Sequence, residues 1–128
     1  MTHSMMPITV LIVDDEEMVR NNLAAYFEDE GMQVTGVESY EAARDLIQDH
    51  EAFDICVMDM RLPGLDGNAA ILALHEFWPE LRYIIHTGSV NYTLPDTLRC
   101  IGIEDEHVFA KPMADMGPMT ATIRCLLE

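Results

Sequence analysis

Ile8-Thr9-Val10-Leu11-Ile12-Val13-Asp14-Asp15-Glu16-Glu17 is the stretch that decides the fold. Its first six residues are aliphatic or β-branched with no polar alternation, as in a strand buried on both faces. Four acids follow at once, and then Val19, Leu23, Tyr26 and Phe27 fall at i, i+4, i+7 and i+8. That spacing is one face of a helix, which Gly31 stops. A doubly buried strand joined to an amphipathic helix is a βα unit, and the rest of the chain repeats it. Gln33–Val37 reads as a second strand, with Ser39 capping a helix that turns Ala43, Leu46 and Ile47 inward. Ile55-Cys56-Val57-Met58 is a third strand, followed by a helix from about Gly67 to Trp78 carrying Ile71, Leu74 and Trp78 inward and ended by Pro79. Tyr83-Ile84-Ile85 is a fourth strand. From Thr87 to Gly102 the pattern weakens: Ser89–Thr93 reads as loop and Pro95 opens a helix of about two turns. Val108-Phe109 is a fifth strand, and Gly117-Pro118 starts a last helix with Met119, Ile123, Leu126 and Leu127 inward. Five βα units predict an α/β doubly wound, five-stranded parallel sheet with helices on both faces and a short or irregular fourth helix.

The chain has 128 residues, which suits one domain. Residues 1–7 read as an N-terminal extension and 8–128 as the domain, with no room for an output domain. Seven Lys plus Arg against 23 Asp plus Glu give a formal charge of 7 − 23 = −16. A surface this acidic is repelled by phosphodiester backbones and anionic membranes, so neither nucleic acid nor membrane is expected as a partner. Three separated cysteines, Cys56, Cys100 and Cys125, without a CxxC pair or a signal segment point to reduced thiols and a cytoplasmic location. The only lysine is Lys111.

In a doubly wound sheet, sites form at the carboxyl ends of the strands. There the sequence places Asp14-Asp15 after strand one, Asp59 after strand three, Thr87 after strand four and Lys111-Pro112 after strand five. Three carboxylates about 4 Å apart repel by about 4 kcal/mol per pair at an effective dielectric near 20, so the cluster requires a cation. Hard oxygen donors with open water positions describe Mg2+. A cation beside Asp59, with a hydroxyl and an ammonium opposite, is complementary to a phosphoryl group in transfer, Asp59 supplying the attacking oxygen.

The runs Val10–Glu16, Val57-Met58-Asp59-Met60-Arg61-Leu62-Pro63-Gly64-Leu65-Asp66-Gly67, His86-Thr87-Gly88 and Ala110-Lys111-Pro112 resemble the receiver domain of two-component response regulators. So do the intervals 59 − 15 = 44, 87 − 59 = 28 and 111 − 87 = 24. The resemblance spans about Ile8 to Leu127. It implies a flavodoxin-like sheet of order 2-1-3-4-5 and a stand-alone phosphoacceptor, served by a sensor histidine kinase or a histidine phosphotransfer domain and passing its message to an unknown protein target. Asp59 would be the phosphoacceptor; Asp14, Asp15, Asp59 and the backbone carbonyl of Arg61 would hold Mg2+. Thr87 and Lys111 would read the phosphorylated state, Gly88 would leave the phosphoryl group room, and the Lys111–Pro112 bond would be cis. Arg61 and Ser89 occupy the positions that tune hydrolysis. The sequence departs from the family at the switch region, with Val108 where an aromatic is usual and Phe109 beside it. It departs again in the fourth helix, reduced to about Leu94–Ile101, which counts against dimerisation through the fourth-helix, fifth-strand, fifth-helix face.

Plainer readings stand beside these. Asp14-Asp15 can cap the first helix, His86 and Cys56 can be buried structural residues, and the ten methionines can be core filler or a pliable surface. Glu28-Asp29-Glu30 and Glu104-Asp105-Glu106 read as solvated turns. A receiver-like binding module that does not switch is the competing function. An FMN carrier would need amide and hydroxyl donors where Asp14-Asp15-Glu16-Glu17 stand. A dehalogenase-type phosphatase would need an acid where Arg61 stands.

Overall fold

The computed structural model describes residues 7–49, 52–61, 66–89, 91–113 and 115–127. Residues 1–6 of the expected 1–7 extension, the motif residues Leu62-Pro63-Gly64-Leu65 and Val90 lie outside the described residues. The chain runs β1 (Thr9–Val13), α1 (Glu17–Asp29), β2 (Gln33–Val37), α2 (Tyr40–Gln48), β3 (Ile55–Asp59), α3 (Gly67–Phe77), β4 (Arg82–Thr87), α4 (Asp96–Arg99), β5 (Val108–Ala110) and α5 (Gly117–Leu126). The strands form one sheet in the order β2-β1-β3-β4-β5, and every pairing is parallel.

Alternation along the central strands builds two separate cores. Val10, Ile12, Ile55, Val57 and Ile84 face α1 and α5, where Leu23, Phe27, Met119 and Ile123 cover them. Leu11, Val13, Cys56, Met58 and Ile85 face the other way, under Ala43 and Ile47 of α2, Ala70, Ile71 and Leu74 of α3, and Leu98 of α4. Burial on both faces is why the continuous apolar runs of β1 and β3 are readable, and why the Cys56 thiol has its pKa pushed up by desolvation.

Local signals behave as their chemistry demands. Ser39 Oγ accepts the Ala42 N–H at 3.1 Å, and Asp66 Oδ1 caps α3 by accepting the Ala69 N–H at 2.9 Å. After α1 the chain reverses through Gly31 at φ +87°, with Gly31 N–H donating to the Glu28 carbonyl and Met32 N–H to that of Phe27. This is the glycine-terminated helix end that a residue with a side chain adopts only under strain.

The weak stretch after β4 is where expectation and structure part. The expected two-turn helix is a single turn, Asp96–Arg99, because Pro95 sets its start and Gly102, at φ +103°, reverses the chain just beyond it. A 3-10 turn at Asp105–His107 was not expected. It is closed by a reciprocal cap in which the Glu104 carboxylate accepts the His107 N–H and the Glu104 N–H donates to His107 Nδ1 at 3.0 Å. The acidic run there is therefore structural as well as solvated. In the other run, Glu30 meets Arg124 at 3.3 Å.

Candidate functional site

Register brings the site together. Val13 pairs with Met58, Asp59 with His86 and Thr87 with Ala110, so the residues that leave each strand at its carboxyl end converge. Asp14 is held by three contacts: its N–H donates to the Val37 carbonyl at 3.1 Å, its carbonyl accepts Arg20 Nη1 at 2.8 Å, and its Oδ1 accepts the Glu16 N–H at 2.9 Å. The Arg20 stem lies over Gly36 of β2, where a Cβ would be in ordinary contact with it. Asp14 does not cap α1, whose N-cap is Glu16 without a side-chain cap; its Oδ1 instead braces the turn that leads into the helix. The other carboxylate oxygen, Oδ2, lies 2.8 Å from Lys111 Nζ.

Asp59 repeats the arrangement: Oδ1 accepts the Arg61 N–H at 3.0 Å, and Oδ2 faces Lys111 Nζ at 3.5 Å. Lys111 is fixed by its own N–H, which donates to the Thr87 carbonyl at 2.8 Å, and its bond to Pro112 is cis. Glu16 also reaches Lys111, at 3.3 Å. Carboxylate oxygens of Asp14, Asp15 and Asp59 all lie within 4.8 Å of one another. Four carboxylates thus crowd around the one lysine, and Asp14, Asp15 and Asp59 present a donor set of hard oxygens that suits Mg2+.

An open cavity of about 360 Å³ lies over this cluster, lined by Asp15, Glu16, Asp59, Arg61, Gly88 and Lys111. Arg61 and Gly88 therefore border it, and a Cβ on Gly88 would find only Arg61 Nη1, at 4.0 Å. Thr87 is buried, and its Oγ1 accepts the Ser89 N–H at 3.1 Å. Val108 packs into the α2–α3 core and Phe109 into the α1–α5 core, so neither ring nor valine lines the cavity.

Electrostatics follow from burial. Asp59 is 2% exposed, and desolvation raises its pKa; the Arg61 N–H opposes that rise and the Asp14 charge adds to it. Burial works against the Lys111 ammonium, but its bond to Asp14 and the charges of Asp59 and Asp14 outweigh it and hold the pKa above its ordinary value.

One residue of this neighbourhood was not singled out from sequence, and another behaves as the plainer reading has it. Glu16 was one acid in a run of four, and only its 3.3 Å approach to the sole lysine distinguishes it. His86, read as structural, is 4% exposed, and neither ring nitrogen has a hydrogen-bond partner among the described residues. Burial first, then the Lys111 charge, pushes its pKa down to about 4. Because the folded value lies below the ordinary 6.5, the unfolded chain takes up the proton first. The stability held by neutral His86 is complete above about pH 6.5 and drains away as pH falls toward 4. His86→Leu is expected to raise stability by roughly 1–3 kcal/mol at pH 7, the cost of an unpaired buried polar group, and to flatten the loss between pH 6.5 and 4. Urea unfolding at pH 7.5 and pH 5 checks this; an unchanged or lower stability at both would contradict it.

The sequence pattern of the response regulator receiver domain matches residues 10–124. The chain belongs to that family. Response regulator GacA of Pseudomonas viridiflava is 33% identical to this receiver over 115 residues, which are 85% of the receiver and 51% of GacA. The protein-glutamate methylesterase/protein-glutamine glutaminase 2 of Caulobacter vibrioides is 29% identical over 108 residues, 83% of the receiver and 30% of that enzyme. The receiver thus spans between about a third and a half of these relatives. Among solved structures, TrrA of Thermotoga maritima in complex with Mg2+-BeF superposes with a TM-score of 0.77 at 18% identity, covering 93% of the receiver and 98% of TrrA. A CheY-like receiver domain protein of Methanospirillum hungatei JF-1 superposes with a TM-score of 0.79 at 21% identity, covering 94% of each chain. These likenesses carry the doubly wound fold and its 2-1-3-4-5 order. No helix among the described residues is long and apolar enough to cross a membrane.

Proposed function

We propose that this receiver accepts a phosphoryl group on Asp59 from the phosphohistidine of a sensor histidine kinase or histidine phosphotransfer domain in the cytoplasm, and passes the signal on through protein contacts. The observation that carries the reading is the divided Asp59 carboxylate: one oxygen is held by the Arg61 N–H, while the other lies toward Lys111 at the floor of an open cavity. The free oxygen attacks phosphorus, the P–N bond breaks, and its electron pair stays on the histidine nitrogen; the product is an acyl phosphate.

Asp14, Asp15, Asp59 and the backbone carbonyl of Arg61 would hold Mg2+, which when bound supplies positive charge to the phosphoryl oxygens. Lys111 moves from the carboxylates to a phosphoryl oxygen, and the Thr87 hydroxyl leaves the Ser89 N–H to donate to another. Gly88 keeps the space beside Arg61 open for the group, and Arg61 and Ser89 flank the path of the water that later hydrolyses it. The signal crosses β5 through Val108 and Phe109. The assembly of Asp14, Asp15, Asp59 and Lys111 in one cluster weighs against a binding module that does not switch.

Incubation with acetyl phosphate and Mg2+ followed by intact mass measurement tests the proposal. One added phosphoryl group is expected, lost in Asp59→Ala and withheld by EDTA. No addition, or an addition that persists in Asp59→Ala, overturns it.

A further inference from the structure

α3 is apolar on two sides. Ala70, Ile71 and Leu74 are buried against the sheet, as one face of a covering helix should be. A second stripe, Ala69, Leu72, Ala73, Glu76 and Phe77, falls at i, i+3, i+4, i+7 and i+8 and lines an open groove of about 600 Å³ on the outer side. Phe77 is 53% exposed, one of two large hydrophobic side chains so exposed among the described residues. Ala69, Leu72 and Ala73 are half-buried beside it, so the exposed Phe77 ring continues an apolar strip rather than standing alone, and such a strip marks a contact surface. The stripe runs about 12 Å along the helix axis, enough for two turns of a partner helix. Small Ala69 and Ala73 alternate with the larger Leu72 and Phe77 along the stripe, a spacing that suits one large apolar side chain.

Charge selects the partner. Between Arg61 and Arg82 the sequence has no Lys or Arg, while Asp66, Glu76 and Glu80 are acidic, and Glu76 lies in the groove itself. A second copy would bring another −16 body and the same acids against this face. We infer that the outer face of α3 docks a basic amphipathic helix of another protein, with an apolar anchor between Leu72 and Phe77 and a Lys or Arg against Glu76. This surface lies on α3's outer side and is lined by none of the residues around Asp59.

The test uses the whole chain and a synthetic leucine–lysine amphipathic helix about four turns long, compared by fluorescence anisotropy at physiological ionic strength with a peptide of the same composition scrambled to have no apolar face. Screening at that salt removes most long-range attraction, so preference reports the groove. The amphipathic peptide is expected to bind at least about tenfold tighter than its scramble, a preference lost in Phe77→Ser and in Ala73→Glu, each checked for an unchanged melting curve. Glu76→Lys is expected to weaken binding as well. Equal affinity for both peptides, no binding, or a preference that survives both groove substitutions overturns the inference. So does self-association in sedimentation equilibrium that Phe77→Ser abolishes, which would assign the face to a second copy.

Discussion

Gly67→Ala is expected to destabilise the protein by about 3 kcal/mol, the upper end of what overpacking costs, and to slow phosphorylation of Asp59. A Cβ at this position would stand 2.6 Å from Met60 Cα, 2.6 Å from Met60 Cε and 2.7 Å from the Asp59 carbonyl oxygen. The methionine tip can swing aside, but the Cα and carbonyl belong to the chain just as it leaves β3. Relief therefore means that the start of α3 retreats, which breaks the Gly67 N–H bond to the Met60 carbonyl at 3.2 Å, or that the end of β3 shifts, which carries Asp59 away from Lys111. For a domain of this size the melting temperature should fall by roughly 10 °C. Gly88→Ala is the control, because its Cβ has ordinary contact with Arg61 only. Thermal melting of the two variants beside wild type checks the contrast; equal melting points would show that α3 has slack at its first turn.

The second large effect is that of Lys111→Met. The side chain keeps its apolar length and loses the one ammonium that meets Asp14 at 2.8 Å, Glu16 at 3.3 Å and Asp59 at 3.5 Å. Asp14 and Asp59 are buried, and their mutual repulsion is then unopposed. Removing one partner of a buried ionic cluster costs about 3 kcal/mol or more, and urea unfolding in EDTA at pH 7.5 should show a loss of that order. Wild type should also lose stability at the alkaline end. The folded pKa of Lys111 is raised, so its contribution is complete below the ordinary 10.5 and disappears as pH climbs through the folded value. Adding Mg2+ should stabilise the variant more than wild type, since a cation entering the variant displaces no ammonium. If Mg2+ stabilises both equally, the role given to Lys111 as the resident counter-charge fails. In the phosphorylation assay the variant should still receive the group on Asp59 while losing the accompanying conformational response, which intrinsic fluorescence of Trp78 and the tyrosines can follow.

Legibility tracked burial. β1 and β3 sit between both cores, so their sequences are uniformly apolar and their ends, Asp14 and Asp59, could be placed to the residue. Convergence of those ends follows from parallel topology alone, which is why Asp15 and Lys111 were also within reach of sequence reasoning. What escaped was set by side-chain geometry rather than periodicity. Glu16 joins the cluster because α1 begins immediately after it, and nothing in a run of four acids separates it from Glu17. The reciprocal cap between Glu104 and His107 uses a histidine nitrogen in place of the usual carboxylate, so the 3-10 turn carried no recognisable signal. The length of α4 was overread because Pro95 and Gly102 bound a helix from both sides without specifying how many residues between them obey it.

That one-turn helix gives the molecule an uneven clock. Hydrogen exchange at the central amides of β1 and β3 waits for the whole sheet to come apart, since each strand is bonded on both sides. Asp96–Arg99 is tied mainly by Leu98 and by bonds that close on Pro95 and Gly102. Opening it costs a small part of the global free energy. Its amides should take up deuterium while β1 and β3 remain protected, and a phosphorylated sample that slowed exchange there and nowhere else would identify this turn as the part of the surface that keeps time with Asp59.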